Sequence, residues 1–140
     1  MKTIKTIVVG FDDTEPSKRA LQRAGQLAEA FGAKLIVTSV APLLVGVARS
    51  AGATDPVDSP KEHVRELDDA RKLLAGLQLE AEFVPAVGEP ADTIVELAED
   101  HDADLIVVGT REPGVLERLL GQSVSEEVAH KAHRDVLIVH

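Results

Sequence analysis

The chain has 140 residues, 44% hydrophobic, 28% charged and only 2% aromatic, which excludes a disordered tail and demands an aliphatic core. Fifteen Lys and Arg against 24 Asp and Glu give a net charge of −9, which excludes nucleic acid as a main partner because a phosphate backbone needs a basic surface. The chain has no Cys, no apolar run near the ~20 residues that span a bilayer, and no signal-peptide pattern in its first residues, so a cytoplasmic protein with no membrane partner is expected.

Ile4 to Gly10 reads as a buried strand, with Ile7, Val8 and Val9 contiguous and β-branched. Asp13, Thr14 and Pro16 then signal a helix start. Ala20, Leu21, Ala24, Leu27, Ala28 and Phe31 follow at helical spacing, and Gly32 is the stop. Lys34 to Val40 is a second strand. Residues 41–60, with three Pro and two Gly, show no period and read as a long, functional or mobile loop. Ser59-Pro60-Lys61-Glu62 is a capping box, with Val64, Leu67, Leu74 and Leu77 marking the apolar stripe behind it. Leu79 to Val87 is a weaker strand, and Pro85 places it at a sheet edge. Pro90 opens a third helix, with Ala91, Ile94, Val95 and Ala98 on one face. Leu105 to Val108 is a short apolar strand ending at Gly109. Ser123-Val124-Ser125-Glu126 is a second capping box, followed by Val128, Ala129 and Ala132, and Val136 to Val139 is the last strand.

Apolar strands alternating with amphipathic helices imply a single α/β domain over 1–140, doubly wound, with helices on both faces of a parallel sheet. Ligands of such sheets sit outside the carboxyl ends of the strands, where strand order reverses. With the first strand central, the loops that matter are 10–15 and 109–125. The second leaves a strand, enters a helix N-terminus, and carries Gly109, Thr110, Arg111, Arg118, Ser123 and Ser125. Helix-start N–H groups, hydroxyls and guanidinium groups make a plausible anion cradle. The competing reading is a structural loop in which Ser123 caps its own helix.

Sharper motifs fail on spacing. Val115 and Leu116 stand where a P-loop needs Lys and Ser or Thr, and the first turn has only Gly10, so the dinucleotide fingerprint is missing. Asp12 and Asp13 suggest a phospho-accepting receiver, but the Asp and Lys expected at the ends of strands three and five are absent. His130 and His133 lack a third ligand at suitable spacing, so no metal site is expected. No Ser–His–Asp set is legible, and no catalytic residue is assigned.

Four segments together resemble the universal stress protein family: Ile7-Val8-Val9-Gly10-Phe11-Asp12-Asp13-Thr14 with Ser17, Ala103 to Gly109, Arg118 to Ser125, and Asp135 to Val139. The first is similar to the family's opening strand and Asp-Gly-Ser turn. The resemblance implies a five-stranded sheet of order 3-2-1-4-5, adenine nucleotide alpha hydrolase-like, in a cytoplasmic homodimer. It implies a non-enzymatic stress-response regulator of one of two classes. One binds ATP or AMP through a Gly-x2-Gly-x9-Gly-Ser/Thr pattern, with magnesium held only through the phosphates. The other is a dimeric interaction module that binds no nucleotide.

Gly109 and Ser123 match the ends of that pattern, whereas Glu112 and Gln122 replace its second and third Gly. A carboxylate at 112 repels phosphate, and a side chain at 122 obstructs close backbone approach. The resemblance places Gly10, Asp12 and Val40 around the base and ribose. It places Gly109, Thr110, Arg111, Ser123, Val124 and Ser125 around phosphate, with reduced affinity or a preference for fewer phosphates. In the implied order the last strand is an edge, and Val136, Leu137, Ile138 and Val139 carry no gatekeeping charge or Pro, which invites pairing with a second copy.

Overall fold

The structure, a computed structural model, describes residues 3–41, 60–110 and 124–140. Of the loop expected at 41–60, Ala41 instead ends a strand and Pro60 opens a helix, while 42–59, the Ser59 and Ser123 caps, Arg111, Glu112 and Gln122 lie outside the described residues. The elements run β1 (Thr6–Gly10), α1 (Glu15–Phe31), β2 (Lys34–Ala41), α2 (Pro60–Leu73), β3 (Glu80–Val87), α3 (Pro90–Asp100), β4 (Leu105–Gly109), α4 (Val124–Lys131) and β5 (Asp135–Val139). All neighbouring strands pair in parallel, in the order β3-β2-β1-β4-β5.

This topology follows from where the apolar side chains go. Successive strand residues point to opposite faces. Ile7, Val9, Leu35, Val37, Leu105 and Val107 meet Ala20, Leu21, Ala24 and Ala28 of α1 and Leu67, Ala70 and Leu74 of α2 on one face. Val8, Ile36, Ile106 and Val108 meet Ala91, Ile94 and Ala98 of α3 and Val128 of α4 on the other. Strands buried on both faces read as continuous apolar runs, as the sequence shows. Each such Val, Leu or Ile contributes about 1.5–3 kcal/mol through removal from water. The small α1 side chains let that helix lie close to the sheet.

The edges differ from the centre. β3 exposes Glu80, Glu82, Pro85 and Val87, and Lys34 of β2 reaches Glu82 at 2.9 Å. That hydrogen bond and the charge attraction hold the Glu82 carboxyl below its ordinary pKa and the Lys34 ammonium above its own. Pro85 lies on β3, which is an edge strand among the described residues and so tolerates its missing N–H.

Three apolar residues depart from the expected stripes. Phe31 is 53% exposed although its spacing places it with Ala20 and Ala24. The 17-residue α1 spans roughly 26 Å and five-residue β1 only about 17 Å, so the helix's last turn overhangs the sheet. Val64 is exposed one turn ahead of the buried Leu67–Ala70–Leu74 stripe, and Ala129 lies a helical step round from Val128 and faces solvent.

Between β1 and α1, Asp13 adopts the left-handed conformation at φ +65. Asp tolerates this region because its short polar side chain does not crowd the backbone, whereas a β-branched residue does not. Asp13→Val is expected to lower stability by about 1–2 kcal/mol, and Asp13→Gly to change it by less than about 0.5 kcal/mol. Urea unfolding checks this; equal midpoints for the two variants would contradict the strain argument.

Candidate functional site

The crossovers place α1 and α2 on one face and α3 and α4 on the other, so the direction of winding reverses between β1 and β4. The crevice outside the carboxyl ends of these two strands is the topological switch point. Gly10, Asp12, Gly109 and Thr110 come together there, with Val40 at the end of the adjoining β2 and Val124 and Ser125 opening α4.

The β1–α1 turn is closed by a compact set of hydrogen bonds. The Asp12 Oδ1 atom accepts from the Thr14 N–H at 3.1 Å and from the Thr14 hydroxyl at 2.6 Å. The Ser17 Oγ atom accepts the Asp12 N–H at 3.3 Å and donates to the Thr14 carbonyl at 3.0 Å. Thr14 caps α1 by accepting the Ser17 N–H on its hydroxyl oxygen at 3.4 Å, and its carbonyl accepts the Lys18 N–H at 2.9 Å. The Ser17 and Lys18 N–H groups are thus spent on the turn itself and Pro16 has no N–H, which weakens this helix start as a phosphate cradle. What the turn offers a ligand is an exposed, fixed carboxylate, the partner for a hydroxyl or amino donor. Lys18 lies 3.8 Å from the Asp13 carboxylate.

Across the crevice, Gly109 and Thr110 close β4. The Thr110 N–H donates to the Val139 carbonyl at 2.7 Å, so its amide is already engaged by β5. Ser125 is buried and Val124 half-buried in the first turn of α4. Glu126 and Glu127 occupy the same turn, where they favour the helix dipole and weaken its pull on an anion. At its other end, Lys131 bonds Asp92 of α3 at 2.6 Å, which fixes α4 against its neighbour and holds the lysine above its ordinary pKa. Val40 is half-buried and packs on the α3–α4 side of the sheet.

Both glycines carried over from the sequence have packing reasons. A Cβ at Gly10 would lie 2.9 Å from Ile94 Cδ1, a side-chain tip. A Cβ at Gly109 would lie 2.5 Å from the Pro16 carbonyl carbon, inside the backbone of α1. The sequence missed this contact, because it depends on a tertiary distance; the clasp role of Ser17 was signalled only by its place in the opening motif.

A cavity of about 330 Å³ lies at the opposite end of the sheet, lined by residues that include Asp104, His133, Arg134 and Asp135. Its groups serve the fold. Asp104 accepts the N–H groups of Lys5 and Thr6 at 2.8 and 3.1 Å, and Arg134 donates to the Ala103 carbonyl at 2.5 Å. Among the described residues, no group of three or more His, Cys, Asp or Glu is placed to hold a metal, and no helix is long and apolar enough to cross a membrane.

Comparison with known proteins gives a consistent result. The universal stress protein family model matches residues 3–140. The universal stress protein Rv1636 of Mycobacterium tuberculosis is 38% identical over 151 residues, covering 100% of this chain and 99% of that protein. A crystal structure of a universal stress protein in complex with cAMP is 35% identical, with TM-score 0.72, covering 99% of this chain and 98% of the other. The Archaeoglobus fulgidus universal stress protein in complex with dAMP is 27% identical, with TM-score 0.73, covering 99% and 100%.

Removing the hydroxyl that both caps α1 and holds Asp12, by Thr14→Ala, is expected to cost about 1–2 kcal/mol in urea unfolding. Thr14→Ser should retain most of that stability. An equal loss in both variants would show that the hydroxyl does not hold the turn.

Proposed function

The chain belongs to the universal stress protein family, and on that basis we propose that it is a non-enzymatic, cytoplasmic regulator that binds an adenine nucleotide across the carboxyl ends of β1 and β4. The observation that carries this reading is the Asp12 turn: a carboxylate oriented in advance at the switch point. A preorganised acceptor spares the ligand the cost of ordering it. Relatives bound to cAMP and dAMP, alike over nearly the whole chain, support adenine as the base. Asp12 and Val40 frame base and ribose beside Gly10. The family resemblance assigns Thr110, Arg111, Ser123, Val124 and Ser125 to the phosphate, with magnesium held only through the phosphates.

Charge sets the preference. Glu112 and Gln122 replace two glycines of the phosphate pattern, Glu126 and Glu127 stand in the first turn of α4, and the chain carries −9 overall. Each added phosphate meets more repulsion and gains few backbone donors, so a monophosphate, cyclic or open, binds better than ATP. Calorimetric titration should give tighter binding of AMP or cAMP than of ATP, and no hydrolysis product should accumulate with ATP. Replacing Glu112 and Gln122 together by Gly should tighten ATP binding about ten-fold, or ~1.4 kcal/mol. Absence of heat at millimolar nucleotide would leave only a scaffold that binds no nucleotide.

The same reading includes a homodimer formed along β5. The side chains of Val136 and Ile138 pack with the α3–α4 layer, and those of Leu137 and Val139 with the α1–α2 layer. What the edge offers a second copy is therefore chiefly its backbone row. The strand is held in place at its end, where Arg19 Nε donates to the His140 carbonyl at 2.9 Å. Outward-facing amides of β5 should exchange with deuterium more slowly as protein concentration rises. Exchange independent of concentration, with a monomer in sedimentation, would rule out this interface.

A further inference from the structure

We infer that Gly109 is a positioning residue for the base and ribose half of the site, and does not serve to admit phosphate. The inference rests on the nucleotide reading above and changes the work assigned to the first glycine of the phosphate pattern. A Cβ at Gly109 would meet three backbone atoms of the first turn of α1: the Pro16 carbonyl carbon at 2.5 Å, its oxygen at 2.6 Å and the Ser17 nitrogen at 2.8 Å. Real Cβ atoms do not come that close to other atoms, and helical backbone cannot swing aside as a side-chain tip can. Gly10 makes the contrast: the nearest atom to its Cβ would be the flexible end of Ile94. The space left by the missing side chain at 109 is already filled by the protein.

What fills it is the turn that orients Asp12. Ser17, whose nitrogen a Cβ at 109 would strike, holds the Asp12 N–H on its hydroxyl and donates to the Thr14 carbonyl. Thr14 in turn donates twice to the Asp12 carboxylate. Pushing Pro16 and Ser17 outward shifts every member of this set. A binding group must be held to within about 0.5 Å to remain productive, and hydrogen bonds weaken steeply once their angle is lost. The effect of residue 109 on the ligand therefore passes through Asp12, which contacts the part of a nucleotide that adenosine and ATP share.

The two roles predict opposite selectivities. Gly109→Ala should weaken adenosine, AMP and ATP by the same factor, about ten-fold, leaving their ratios unchanged. A phosphate-admitting glycine would leave adenosine affinity intact and weaken ATP alone, and that result would overturn the inference. On an Asp12→Ala background, Gly109→Ala should cost adenosine nothing further; a fully additive loss would also overturn it. Ser17→Ala, which opens the same set without a clash, should give the same uniform loss and serves if Gly109→Ala does not fold. A readout without ligand separates this inference from the nucleotide reading: Gly109→Ala should speed hydrogen exchange at the Asp12 and Ser17 amides. Faster exchange in a protein that binds no nucleotide would defeat the nucleotide reading and leave the positioning contact standing. Unchanged exchange would defeat the positioning contact.

Discussion

The structure depends on a central strand buried on both faces. Ile7, Val8 and Val9 of β1 have no solvent exposure, and the same holds for Leu35, Ile36 and Val37 of β2. A parallel pair cannot be joined by a tight hairpin, so each connection must carry a helix across a face. Among the described residues four helices cover the two faces, two to each, and crossovers of one hand require the winding to reverse beside β1. The crevice at the carboxyl ends of β1 and β4 is a consequence of covering the sheet. A ligand site there costs the core nothing.

Local chemistry then decides which parts of the crevice remain open. At α1 the Ser17 and Lys18 N–H groups both go to Thr14. At β4 the Thr110 amide goes to β5. Backbone donors that a sequence pattern offers to a phosphate are thus partly committed before any ligand arrives. The same commitments make the Asp12 carboxylate stiff, because its own N–H and one of its oxygens are held by neighbours from the turn. One set of hydrogen bonds, those of the β1–α1 turn, both stiffens the Asp12 carboxylate and engages the Ser17 and Lys18 N–H groups.

Period and punctuation made most of the fold legible. β-branched runs marked β1, β2 and β4, Thr14 and Gly32 bounded α1, and Pro85 correctly placed β3 at an edge. The resemblance supplied the strand order, which composition and period left open. Exposure of Phe31 was not legible, since spacing reports the face of a helix and not how far the helix outruns its sheet. Asp13 reads as an ordinary helix-start residue, yet it takes the left-handed position where the similar motif has glycine. The candidate site reads in the sequence as a set of residue types at two loops, the second of which lies mostly outside the described residues. The division of labour within it was not legible, because the packing of Gly109 on Pro16 joins positions far apart in the chain.

The proposed binding of an anionic ligand by an acidic protein sets up a conflict of charge. Long-range repulsion from −9 is screened beyond about 8 Å at physiological ionic strength, so the local arrangement decides. Locally, Lys18 beside the turn is already paired with Asp13 and Glu15. The acidic first turn of α4 further lowers the potential a phosphate would meet. Binding energy must then come from parts of the ligand that carry no charge, through the Asp12 acceptor and apolar contact near Val40. Under the proposed function, a ligand with a large uncharged portion and one phosphate suits that balance better than a triphosphate, and the geometry of the β1–α1 turn contributes to what the site selects.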